Sequence, residues 1–99
     1  MGKEMAVGLR LKFEGGKQEE YEAVHGHMNI ETDPPEGLIF HMAGPIDEGW
    51  GVIDCWESRH HFDTFFQNRL GPAVAELGDR APANQPDIKQ FEVFNHFTP

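Results

Sequence analysis

Between Val52 and Leu70 the chain reads VIDCWESRHHFDTFFQNRL, and its hydrophobic period changes on the way. Before Ser58 the side chains alternate as on a strand; after it Phe62, Phe65 and Phe66 fall at helical spacing. Ser58 stands where an N-cap belongs, although His61 at the third position denies it a capping box. The apolar side of the helix continues through Leu70, Val74 and Leu77. Gly71-Pro72 interrupts it: Pro72 has no N–H to donate, which predicts a kink or a restarted helix. Gly78 is a natural stop.

The same test applied to the rest of the chain finds four more elements. In MAVGLRLKF, Met5, Val7, Leu9, Leu11 and Phe13 share one face and Arg10 and Lys12 the other, a strand. After Gly15-Gly16, the run from Lys17 to Ile30 places Tyr21, Val24, His25 and Met28 on one helical stripe. Glu19 and Glu20 lie in its first turn, where the helix dipole favours negative charge, and Gly26 weakens its C-terminal end. Leu38–Gly44 and Trp50–Glu57 read as strands of a hairpin joined across PIDEG, and Ile88–Phe97 as a final strand.

The order strand, helix, strand, strand, helix, strand closes if both helices cover one face of an antiparallel sheet. That is the α+β, ferredoxin-like βαββαβ arrangement, formed as a single domain over residues 1–99. Leu38, Ile39 and Phe40 are consecutive, as are Val52 and Ile53, so the strands are apolar on both faces. The helices cover only one, and a second copy of the chain is the simplest cover for the other. A homodimer is therefore expected.

Charge and composition narrow the partners. A formal net charge of −9 over 99 residues repels nucleic acid and anionic membranes. Cys55 is the single cysteine, so no internal disulfide forms, which fits a reducing cytoplasm. No apolar run approaches the ~18 residues of a membrane span.

The element order, the progression GLIFHMAGP…GWGVIDCWES followed by spaced phenylalanines, and the C-terminal FEVFNHF resemble the dimeric α+β barrel superfamily. Its antibiotic biosynthesis monooxygenase-like branch is the most similar. The resemblance implies a two-subunit barrel with helices outside and a small-molecule pocket between helices and sheet. Members of that group include cofactor-independent quinone-forming oxygenases, polyketide cyclases and haem degraders, so it implies chemistry only loosely. Haem degraders of this group use an Asn on the first strand and a Trp and a His well along the second helix. Here Met5–Phe13 has no Asn and Phe62–Leu77 neither Trp nor His, so haem degradation is disfavoured. Trp56 matches a position of the group that is structural.

Candidate chemistry rests on three residues. His41 interrupts the apolar strand LIFHMAG, either as an acid–base group or as a hydrogen-bonding residue at a dimer interface. His25 shares the inward stripe of the first helix, as a pocket residue or a hydrogen-bonded core histidine. Asp54, between apolar neighbours, must be paired or have a raised pKa; the plain expectation is a salt bridge to Arg10 or Lys12. It shares strand parity with Trp56. His27 lies ~200° from His25 on the helix and, with His60 and His61, is expected at the surface. His96 is expected at a strand end or an interface. Tyr21, Trp56, Phe62, Phe65 and Phe66 are core by their spacing, or the flat walls of a pocket for a ring-shaped ligand.

No phosphate loop, CxxC, GxSxG or dinucleotide fingerprint is present, and no haem, flavin or metal is expected. Two readings follow. One is a cofactor-independent monooxygenase or cyclase acting on an aromatic or polyketide-like substrate, with His41 or His25 as base. The other is a non-catalytic ligand-binding or accessory homodimer of the same fold. An enzyme should bring at least two titratable groups into one cavity; a binding protein need not.

Overall fold

In the computed structural model, which describes residues 6–97 and 99, the sequence periods become β1 (Val7–Glu14), α1 (Gln18–Met28), β2 (Leu38–Ile46), β3 (Gly49–Trp56), α2 (Arg59–Phe65), α3 (Gly71–Leu77) and β4 (Asp87–Glu92). The strands form one antiparallel sheet in the order β2-β3-β1-β4. This is the α+β, ferredoxin-like topology. Met5, expected on the first strand, lies outside the described residues.

Local chemistry sets the element ends. The Lys17 backbone N–H donates to the Glu20 carboxylate at 3.0 Å, closing the start of α1. Asn29, in the left-handed conformation at φ 56°, ends that helix. Between β2 and β3 the loop is only Asp47-Glu48, both at positive φ, a geometry whose twist matches paired strands. The Ser58 hydroxyl accepts from the His61 N–H at 3.2 Å, so the expected N-cap forms.

At Gly71-Pro72 the helix restarts, as one of the two expected outcomes, with no residue between the segments. Phe66–Leu70 widens into one π turn, in which the Gly71 N–H reaches back to the Phe66 carbonyl, and α3 restarts with Pro72 in its first turn. Proline is tolerated there because a first-turn N–H has no helical partner to lose. Two packed clusters result. Leu9, Leu11, Val52, Trp56 and Phe62 form the core between sheet and α2. Val24, Ala73 and Ala81 form a smaller one where α1 meets α3.

Two register features decide what faces the helices. In β3, Asp54 stands opposite Leu9, and Ile53 opposite Arg10. In β2, Leu38 pairs with Trp56 but Phe40 already pairs with Cys55, so Ile39 is an extra residue, a β-bulge. Past the bulge the parity is reversed, and His41 comes opposite Asp54. Phe40, Met42, Ile53 and Phe91 remain large, apolar and exposed. β4 ends at Glu92 instead of reaching Phe97. Val93 makes one more backbone bond, to Ala6, and beyond it the described sheet offers β4 no partner.

Candidate functional site

The site is built across α1, β2 and β3. Tyr21 and His25 lie one turn apart on the sheet-facing side of α1, so their side chains are neighbours. The β2 bulge turns His41 toward them, and β3 presents Asp54 and Trp56 on the same face. The result is a continuous chain of hydrogen bonds. His41 Nδ1 lies 2.7 Å from Asp54 Oδ1, and His41 Nε2 lies 2.6 Å from the Tyr21 hydroxyl. Trp56 Nε1 donates to Asp54 Oδ2 at 3.2 Å, and His25 Nδ1 sits 3.3 Å from the same Tyr21 oxygen.

The expected salt bridge from Asp54 to Arg10 or Lys12 does not form. Both cations lie on the opposite face of the sheet, where Arg10 pairs with Asp87 and Lys12 with Glu14. Asp54 is 5% exposed and is held instead by an imidazole and an indole. A carboxylate can only accept, so Nδ1 of the neutral ring carries the proton and Nε2 is left to accept from Tyr21. Burial first, and then the charges of Asp54 and Glu31, push the Tyr21 pKa above its ordinary value, so this hydroxyl keeps its proton and donates.

These groups form the polar end of a partly open cavity of about 80 Å³ between the sheet and the helices. Tyr21, His25, His41 and Asp54 line it together with Trp56, Phe62 and Phe65; Leu11, Val24, Trp50 and Leu70 complete apolar walls. Phe66 does not line this cavity. It lines a second depression, of about 300 Å³, with Gly71 and residues 82–86. His27 is exposed and pairs with Glu76. His61 is not solvated as expected: its ring meets the Ser58 hydroxyl at 2.7 Å and packs against Gly37. His60 and His96 are exposed. Among the described residues no group of three or more His, Cys, Asp or Glu side chains is placed to hold a metal ion.

Trp50 and Glu31 are among the wall and partner residues that the sequence expectations did not place at the site. Trp50 lines the cavity and its ring lies 5.4 Å from that of Tyr21, a contact that alternation along β3 from Trp56 would have suggested. Glu31, 3.6 Å from His25 Nε2, follows the helix end and carries no periodic signal.

No family profile matches the chain, and no curated protein matches it. Solved structures do. A crystal structure described as a putative antibiotic biosynthesis monooxygenase from Caulobacter crescentus superposes with a TM-score of 0.70 at 14% identity, covering 93% of this chain and 92% of that one. SnoaB, a cofactor-independent oxygenase from Streptomyces nogalater, gives 0.62 at 13% identity over 98% and 100%. The chain has the fold of the antibiotic biosynthesis monooxygenase-like, dimeric α+β barrel proteins. A heme-degrading protein of the same fold from Mycobacterium tuberculosis also matches this chain, at 0.62 with 22% identity over 98% and 100%.

Proposed function

We propose that the protein is a small-molecule pocket protein whose Asp54–His41–Tyr21 chain moves a proton to or from an aromatic or enolisable ligand. The observation that carries this reading is the placing of three linked titratable groups at the one polar end of an apolar cavity. A ligand hydroxyl or activated C–H gives its proton to the Tyr21 oxygen while Tyr21 passes its own to His41 Nε2. Asp54 steadies the imidazolium that results, and Trp56 holds the second carboxylate oxygen in place. A carbanion or phenolate formed this way can reduce dioxygen without a cofactor. In the simplest balanced case a hydroquinone becomes the quinone, and O2 takes up two electrons and two protons as hydrogen peroxide. Where oxygen is retained, a ring CH2 becomes C=O and the second oxygen atom leaves as water. The oxygenase description of SnoaB is in keeping with this chemistry.

Cavity size supports a small ligand. An apolar cavity of about 150 Å³ holds one benzene ring, so about 80 Å³ suits a single ring after modest side-chain movement. A polycyclic, polyketide-like substrate needs a wider opening between α1 and α3. Haem, which the Mycobacterium tuberculosis protein is described as degrading, does not fit: pockets for large ligands run to roughly 300–1,000 Å³, and both ring nitrogens of His41 are already bonded.

One observation favours ligand binding without chemistry. Every polar atom of the His41 ring already has a protein partner, so the network is satisfied with no substrate present. The two readings separate on His41→Gln, which keeps a donor for Asp54 but cannot take up a proton. With a single-ring hydroquinone as probe and oxygen uptake as the readout, the substitution is expected to lower turnover by about 10²-fold or more. Equal uptake by both proteins, or none by the parent while hydroquinone still quenches its tryptophan fluorescence, leaves the binding reading in place.

The assembly belongs to the same proposal. The face of the sheet away from the helices keeps Phe40, Met42, Ile53 and Phe91 exposed, an apolar patch that a second copy covers. A cytoplasmic location accords with the free Cys55, and among the described residues no helix is long and apolar enough to cross a membrane.

A further inference from the structure

The hydrogen bonds of the site do not stop at the cavity. The Tyr21 oxygen is shared between His41 Nε2 and His25 Nδ1, and His25 Nε2 faces the Glu31 carboxylate at 3.6 Å. The Asp54 side chain is 7% exposed and that of Glu31 87% exposed. A hydrogen-bonded file therefore runs from the buried carboxylate to His25, and Glu31 stands just beyond hydrogen-bond distance at its solvent end. His25, 22% exposed, is where the file reaches water. Asn29, in its left-handed conformation, ends α1 and turns the chain so that Glu31 comes back to the level of His25.

We propose that Tyr21, His25 and Glu31 form a proton exit that returns His41 to its basic state. The proposal rests on the reading of His41 as the proton acceptor. A proton lodged on His41 deep in the cavity has to leave before the next one can be taken. The imidazolium gives its Nε2 proton to the Tyr21 oxygen as the Tyr21 proton moves to His25 Nδ1. At rest His25 carries its proton on Nδ1 and donates to the Tyr21 oxygen; exchange with solvent moves it to Nε2 before each transfer, and the Nε2 proton then leaves to Glu31 or to water, which returns the ring to its resting tautomer. Only N–H and O–H bonds change, one proton enters and one leaves, and no electron moves. Tyr21 suits the middle position because its raised pKa keeps it a hydroxyl, able to accept and donate at once. Glu31 places a carboxylate oxygen 3.6 Å from His25 Nε2, the atom from which the proton leaves.

The test needs no substrate. The Tyr21 hydroxyl proton, held between the His41 and His25 rings, is read by proton NMR, and its exchange with water is timed in the parent, in His25→Leu and in Glu31→Gln. A positioned acid–base group is worth about 10²–10⁴-fold, so His25→Leu is expected to slow the exchange at least about tenfold, with added imidazole restoring it. Glu31→Gln, an exposed change that leaves the fold intact, should slow it less. His27→Leu, on the same helix but outside the file, should change nothing. A merely loosened structure would exchange faster, not slower. Unchanged or faster exchange in His25→Leu overturns the exit and means that water reaches Tyr21 through the cavity mouth. If exchange slows but no probe is turned over, the exit stands and the catalytic reading falls. If turnover depends on His41 while exchange ignores His25, the reverse holds.

Discussion

Trp56 and His41 hold Asp54 from opposite sides, and neither contact is replaceable by water at 5% exposure. Trp56→Phe would leave Asp54 Oδ2 buried without a donor, a loss expected to cost about 1–3 kcal/mol in chemical denaturation. Part of any such loss would come from the smaller ring. Measuring Trp56→Phe again in an Asp54→Asn background, against Asp54→Asn alone, separates the two, because the charge that needed the donor is gone while the lost packing is the same. An undiminished loss in the double variant would place the effect in packing. That Asp54 and Trp56 share a face was legible from strand parity alone, though not that the indole donates to the carboxylate. The partner on its other side was not: choosing among Arg10, Lys12 and His41 requires knowing which strand residue faces Asp54, and Leu9 occupies that place on β1.

At the scale of elements, period and punctuation located both helices, the hairpin and the cap at Ser58. Their ends were less legible, because they depend on partners. FEVFNHF stays rich in phenylalanine to Phe97, yet β4 stops at Glu92 where its described neighbour does. Two glycines give opposite expectations. Gly37 sits at φ 86°, its carbonyl accepts from the Glu57 N–H, and a Cβ there would strike the His61 ring. Gly37→Ala should cost at least about 1–2 kcal/mol from the left-handed backbone alone. Gly26 lies inside α1 with open space around it, so Gly26→Ala should stabilise by about 1 kcal/mol. Thermal melts of both variants check the pair. A neutral Gly37→Ala would mean that the loop ahead of β2 relaxes independently of α2.

For the whole molecule, the sheet is the shared wall of two environments, a cavity on the helix side and an exposed apolar face on the other. Sedimentation at micromolar concentration is expected to give about twice the 11.2 kDa chain, and Ile53→Lys, central on the open face, to shift it toward the single chain. A clean monomer in the parent would mean that this face is covered by something else. The double-faced apolar character of the strands was readable in the sequence; the assignment of β2 residues to each face was not. Simple alternation from Leu38 sends Phe40 inward and His41 outward, and only the extra residue Ile39 reverses them. The consequence is genetic as much as structural. Loss of the Ile39 codon would leave Phe40 opposite Cys55 and His41 opposite Asp54 in a regular ladder, so the extra residue can disappear in one step with every cavity side chain kept in place. Closing the bulge while keeping Ile39 is what would exchange them: a one-residue slip puts a phenylalanine where this chain holds an imidazole.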